Sequence, residues 1–224
     1  MKPFEVDTNL LKRLKQIGLQ LNHIVDVGCH QGKWTEKVKL EYPDASYYLV
    51  DSSNTHQEKL QSLGNFIHAY VGQHKEKREY YSTGNNKDET GNSLYKENSN
   101  VPFDTKTVLT EPLKHILPDI VYDYIKMDVQ GAELEIVEGS LDLFKKTKWV
   151  QLECPVFHNN AGSPKFEHYI NYMANSGFRV FDIDSIFYNY RLMAVDFLFV
   201  NKDLPAQLPT EGDKLIYNHH DTSA

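Results

Sequence analysis

Acidic residues and glycines stand where short β-branched runs break off: Asp26-Val27-Gly28, Asp51, Val71-Gly72, Asp128 and Glu153. One acid at a strand end is ordinarily a solvated terminus. The same feature at successive strand ends points to a shared crevice, because open α/β sheets bind ligands beyond the carboxyl ends of their strands. The first loop, Asp26-Val27-Gly28-Cys29-His30-Gln31-Gly32, reads D-x-G-x-x-x-G. It lacks the G-x-G-x-x-G that seats a pyrophosphate on a helix N-terminus. Gly28 permits a sharp turn and Gly32 a close backbone approach. The acid ahead of the loop suits a ligand bearing an ammonium and a sulfonium rather than phosphates. Asp51 follows about 20 residues on, the interval at which an acid takes ribose hydroxyls. With Cys29, Ser52 and Val71 beside them, Asp26, Gly28, Gly32 and Asp51 form the expected binding set for S-adenosylmethionine.

Methyl transfer from a sulfonium to a hydroxyl needs a nucleophile held in line and a destination for its proton. Asp128, Glu153 and His158 are the candidates for that work. Asp128 is expected to face the sulfonium and the acceptor. His158, in the loop Glu153-Cys154-Pro155-Val156-Phe157-His158, is a candidate proton acceptor because imidazole is the side chain whose charge ordinarily changes nearest neutral pH. An exposed loop imidazole is an equally ordinary reading of it. Asp128 and Glu153, on neighbouring strands, offer oxygen ligands to a divalent cation, but without a third firm ligand. Lys126 lies inside an apolar strand and must snorkel or pair with a carboxylate. Glu133 opens the following helix as a cap or as a carboxylate favoured by the dipole. Glu135 and Glu138 read as a solvated helix face.

The stretch Ile24-Val25-Asp26-Val27-Gly28-Cys29-His30-Gln31-Gly32 resembles the first motif of the FkbM-type methyltransferases. The run from Tyr124 to Gly139, with Ile125-Lys126-Met127-Asp128-Val129-Gln130-Gly131-Ala132-Glu133 at its centre, is similar to that family's IK-x-D-V-E-G-A-E hallmark. Gln130 departs from it, standing where the family usually has Glu, so a carboxylate role there is in doubt. The resemblance covers about residues 20–200. It implies a Rossmann-like fold, S-adenosylmethionine as cofactor, and O-methylation of a hydroxyl on a sugar, glycan or small metabolite. A dinucleotide oxidoreductase is the rival, disfavoured by the missing glycine pattern. A silent methyltransferase-fold binding protein is another, marked by absent cofactor affinity.

The elements that must position these residues follow from periodicity. Phe4 to Leu21 carries apolar residues mostly at helical spacing and reads as one or two amphipathic helices. Strands are expected at 23–28, 46–51, 65–71, 122–128 and 149–153, with helices at 34–42, 56–63, 133–139 and 165–176. Two runs, 178–183 and 194–200, form a hairpin with a Tyr-rich connection. This alternation predicts an α/β fold, a seven-stranded, mostly parallel sheet with helices on both faces. Its last strand should run antiparallel at or near an edge. Residues 73–105 interrupt the alternation as a substrate-side insertion holding one plausible strand, Arg78-Glu79-Tyr80-Tyr81. There Tyr80, Tyr81, Ser93, Leu94 and Tyr95 suit sugar recognition. The organisation is thus a helical extension at 1–22, one domain at 23–204 and a tail at 205–224.

Composition bounds the rest. The 224 residues are 40% hydrophobic and 25% charged, which fits a globular domain rather than a disordered chain. Two cysteines cannot make a disulfide scaffold, no apolar run approaches the ~20 residues that cross a bilayer, and the start is not leader-like, so a cytoplasmic setting is expected. With 24 Lys and Arg against 31 Asp and Glu, the formal charge of −7 disfavours nucleic acid as partner. A small-molecule or glycan acceptor and no membrane association are expected; the oligomeric state is not legible.

Overall fold

Short β-branched runs separated by amphipathic stretches fold in a computed structural model that describes residues 4–7, 9–82, 91–100, 102–157 and 160–204. In chain order the elements are β1 (Phe4–Asp7), α1 (Leu10–Gln16), β2 (His23–Val27), α2 (Lys33–Glu41), β3 (Ser46–Asp51) and α3 (Gln57–Leu63). There follow β4 (Asn65–His68), β5 (Tyr70–Val71), β6 (Lys77–Ser82), β7 (Asp104–Glu111), α4 (Leu113–Ile116) and β8 (Tyr124–Met127). The chain continues through α5 (Glu133–Gly139), α6 (Leu141–Phe144), β9 (Trp149–Pro155), α7 (Phe166–Asn175), β10 (Phe178–Asn189) and β11 (Arg191–Asn201).

The main sheet has the order β1-β10-β11-β9-β8-β2-β3-β4. Strands β4, β3, β2, β8 and β9 are parallel, and β11 is antiparallel to both its neighbours. The expected seven strands are therefore present, with β11 slotted between β9 and β10. Successive side chains of a strand enter opposite layers. Ile24 and Tyr124 join the core under α1 and α2, whereas Val25, Val27, Ile125 and Met127 join the core under α5 and α7. Burial on both faces explains why β2 and β8 read as nearly unbroken apolar runs. The chain winds outward from β2 through β3 to β4, then restarts on the other side at β8. Beyond the carboxyl ends of β2 and β8 lies the crevice that such a reversal creates.

Three stretches differ from the sequence reading. Phe4–Asp7 is not helical: it pairs antiparallel with Ser185–Tyr188 as an eighth, edge strand. Its apolar-acidic alternation has period 2, and helical spacing begins only at Leu10, where Leu10, Leu11 and Leu14 are buried. The run 65–71 divides at Ala69, whose N–H donates to the Asp51 carbonyl at 2.9 Å. Beyond that bond the chain leaves the main sheet. β5 then joins β7 and β6 in a separate three-stranded sheet, in which β6 is the strand expected inside the insertion. The hairpin strands also run further than expected, into a tight turn at Tyr190, which adopts φ +61°. Among the described residues no helix is long and apolar enough to cross a membrane. The tail at 205–224 lies outside the described residues.

Candidate active site

The loop after β2 is shaped by its two glycines. Gly28 has φ +75° and donates its N–H to the Val50 carbonyl at 2.8 Å. A Cβ there would overlap the Asp128 carbonyl oxygen, so the ends of β2 and β8 meet only because the side chain is absent. Gly32, at φ +72°, packs under Leu60 and Leu63 of α3 and lines no cavity described below. Asp26 also stands behind the cavity wall. It is 1% exposed, accepts a hydrogen bond from Thr35 Oγ1 at 2.7 Å and lies 3.4 Å from Lys126 Nζ. Cys29 is buried, and burial, followed by Asp26 and Asp51, pushes its thiol up, which leaves it unreactive.

Lys126 resolves its apolar setting by pairing. Its Nζ lies between Asp26 and, at 3.5 Å, Asp128 Oδ2. Burial disfavours the ammonium, but Asp26, Asp128 and Asp196 outweigh burial and hold its pKa above the usual lysine value.

A first cavity of about 170 Å³ opens where β2, β3 and β5 end. Gly28, Asp51, Ser52 and Val71 line it beside Asp128, bringing together four of the seven residues of the expected cofactor set. Asp51 Oδ2 accepts the His30 N–H at 2.7 Å and Oδ1 accepts the Ser53 N–H at 2.8 Å. Burial raises this carboxyl, against the pull of those two amides. A carboxylate so fixed retains lone pairs for ligand hydroxyls. Ser52 Oγ and the Tyr80 hydroxyl share a 2.5 Å hydrogen bond. The insertion supplies the far wall through Tyr80, Ser93 and Leu94. Ser93 Oγ donates to the Gln130 carbonyl at 2.8 Å, tying the insertion to the loop after β8. Tyr81 bonds Glu79 instead, and Tyr95 donates to Glu135 Oε2 at 2.8 Å. Glu135 also lies 3.5 Å from Arg78, so it is a buried partner and not part of a solvated face.

A second cavity, about 300 Å³, adjoins the first through Asp128 and Gln130. Glu153, Asn160, Ser185 and Asp196 complete its polar wall. Gln130, held at φ +56°, donates from Nε2 to Asp128 Oδ1 at 2.9 Å and to Glu153 Oε2 at 3.2 Å. An amide bridges there what a third carboxylate would repel. Glu153 and Asp196 are direct partners across β9 and β11. Burial first, then Asp128 and Asp196, pushes Glu153 well above the carboxylate range. Burial and Asp128 likewise push Asp196 up to about 7, although Ser185 Oγ donates to its Oδ2 at 2.6 Å and Lys126 opposes the rise. Glu133 holds the loop from beneath: its carboxylate accepts the Val129 and Gly131 N–H groups and the Tyr169 hydroxyl, the last at 2.6 Å. Among the described residues no group of three or more His, Cys, Asp or Glu is arranged to hold a metal ion. His158 lies outside the described residues.

Asp196 and the bridging role of Gln130 were missed in the sequence. The signal for Asp196 was present: a lone acid in the apolar run Ala194-Val195-Asp196-Phe197-Leu198. Gln130 shows no such signal, because its bonds depend on a left-handed backbone.

A family model described as the methyltransferase FkbM domain matches residues 26–180. No curated protein matches the chain. Magnesium protoporphyrin IX methyltransferase (ChlM) from Synechocystis PCC 6803, solved with bound SAM, is similar at TM-score 0.50 and 13% identity, over 86% of this chain and 76% of that one. A SAM-dependent methyltransferase from Aquifex aeolicus shows TM-score 0.44 and 18% identity, over 84% of this chain and 88% of that one. The likeness to the first is one of fold.

Proposed function

The chain belongs to the FkbM methyltransferase domain family, and from that premise we propose that it transfers the methyl group of S-adenosylmethionine to a hydroxyl of a sugar, glycan or small metabolite. The observation that carries this reading is the pair of cavities meeting at Asp128 and Gln130. When bound, S-adenosylmethionine supplies an electrophilic methyl on a sulfonium. Its fit to the first cavity rests on the Asp51 carboxylate, which is placed to accept two ribose hydroxyls. The apolar wall of Ala69, Val71 and Leu94 offers a slot for a flat base. Asp128, at the junction, would supply negative charge suited to a sulfonium, and Lys126 and Gln130 keep it oriented.

On the acceptor side the walls are rich in hydrogen-bond acceptors, matching a ligand that presents hydroxyl donors. The same carboxylates repel phosphates, which favours a small molecule or glycan over a nucleic acid. The Glu153–Asp196 pair would take the proton that the acceptor hydroxyl gives up on methylation. Asp196 Oδ1 is the accepting atom in this reading, since Oδ2 is engaged by Ser185. Glu153, pushed higher, holds its proton and steadies the charge on its neighbour.

Calorimetric titration with S-adenosylhomocysteine and with NAD tests the cofactor. A labelled methyl-transfer screen across sugars, glycosides and phenols tests the acceptor. Binding of NAD alone, or transfer only into RNA or protein, overturns the reading.

A further inference from the structure

We propose that the groove between α1, α2 and β10 is a second acceptor subsite, which holds the apolar part of an acceptor whose hydroxyl-bearing end occupies the carboxylate-lined cavity. The inference rests on the methyl-transfer reading for the identity of that end. A third cavity, about 400 Å³, lies between these elements and shares Ser185 and Asp196 with the second. The second in turn shares Asp128 and Gln130 with the first. Three cavities therefore adjoin in sequence, and the carboxylate pair stands between the outer two.

Polarity changes along that line. Carboxylates, two amides and a hydroxyl make up the polar wall of the middle cavity, whereas the third gains an apolar wall of Leu10, Leu11, Trp34, Val38 and Leu40 inside a rim of Asn9, Lys12, Lys37, Glu41 and Asp184. An exposed leucine alone means little. Leu40, 80% exposed, gains meaning because it stands beside a half-buried indole on the wall of one concavity. The indole is a fixed platform: Trp34 stacks on Tyr124 at 6.0 Å and 30°, with Lys126 Nζ 5.9 Å from its ring centre. A ring held in place before binding loses little freedom on contact, which favours stacking of a planar or alkyl segment. Both volumes fall within or near the range of small-ligand pockets, about 300–1,000 Å³. That concavity, and the sharing of Ser185 and Asp196 with the middle cavity, commit the groove to the acceptor's own far end rather than to a protein partner. The acceptor class is thus an amphiphilic glycoside or glycosylated metabolite, an uncharged hydroxyl-rich head joined to an apolar aglycone.

The test compares 4-nitrophenyl and methyl glycosides of the same sugars on the full chain. The chain has two tryptophans, and Trp149 is fully buried, so saturable quenching by the nitrophenyl compounds reports Trp34. Quenching is expected, together with a KM about tenfold lower for the nitrophenyl glycosides than for the methyl ones. Trp34→Phe should abolish the quenching, and Leu40→Lys should raise the nitrophenyl KM about tenfold. Transfer with equal KM values and no saturable quenching overturns the subsite while leaving the methyl-transfer reading intact. Saturable quenching lost in Trp34→Phe, with no transfer to any hydroxyl, supports the subsite and overturns that reading instead.

Discussion

Asp196 ties the chemistry to pH in two separable ways. Its carboxyl rises from 3.8 to about 7, chiefly through burial and Asp128. Between those values the folded protein keeps a proton that the unfolded chain has released, so stability falls as pH rises through that window. Urea unfolding at pH 5 and pH 8 should show the protein weaker at pH 8, and Asp196→Asn should shrink the difference. Methyl transfer should run oppositely, losing rate below about pH 7 as the accepting carboxylate takes a proton. Asp196→Asn should lower turnover about 10²–10⁴-fold with S-adenosylhomocysteine affinity retained; an unchanged pH–rate profile would remove Asp196 from the mechanism. Gln130 makes a complementary case. Gln130→Glu exchanges two donated bonds for a charge beside Asp128 and Glu153, costing about 1–3 kcal/mol at pH 8 and less at pH 5. Equal losses at both pH values would show that shape, not charge, sets the residue there. At this scale the strand-end acids Asp51, Asp128 and Glu153 were legible because each closes an apolar run. Asp26, Cys29 and Gly32 have the same spacing signal, yet they stand behind the wall. Spacing places a residue at a strand end and leaves open which side of the loop it supports.

Among the elements, the loop from Asp128 to Ala132 bears the junction of the two cavities. It is pinned from β2 by the missing side chain at Gly28 and from beneath by Glu133 and Tyr169. Gly28→Ala must push the loops apart and strain a positive φ, so it should cost about 1–3 kcal/mol and weaken S-adenosylhomocysteine binding together. Tyr169→Phe keeps the packing and leaves Glu133 one donor short, for a loss of about 1–3 kcal/mol in unfolding experiments. Wild-type stability in Tyr169→Phe would mean that the two backbone amides alone suffice to hold the carboxylate. The elements themselves were largely readable, since β2, β3, β8 and β9 have mostly apolar runs and their helices clear stops. The reading failed where a short run serves two sheets, as at Ala69, and where four residues alternate too briefly to stand out, as at Phe4–Asp7. In both places the partner strand, distant in sequence, decides the conformation.

For the whole molecule, binding and stability must be linked. S-adenosylhomocysteine at about 100 times its Kd should add about 2.7 kcal/mol to unfolding stability, and a thermal shift that ignores ligand concentration would contradict binding to the native state. The position of β11 between β9 and β10 has its own consequence for how the protein comes into being. A chain leaves the ribosome from its N-terminus at about 5–20 residues per second. Every strand that flanks β11 is therefore made before it. Until Arg191–Asn201 emerges, β9 shows an open edge, β10 has no partner on that side, and Asp196 is absent from the second cavity. The first cavity draws its walls entirely from residues 27–132 and depends on none of these late arrivals. During synthesis the half of the site proposed for the methyl donor has all its wall residues first, and the half proposed for the acceptor receives its last wall only when a single strand slides into a gap already waiting for it.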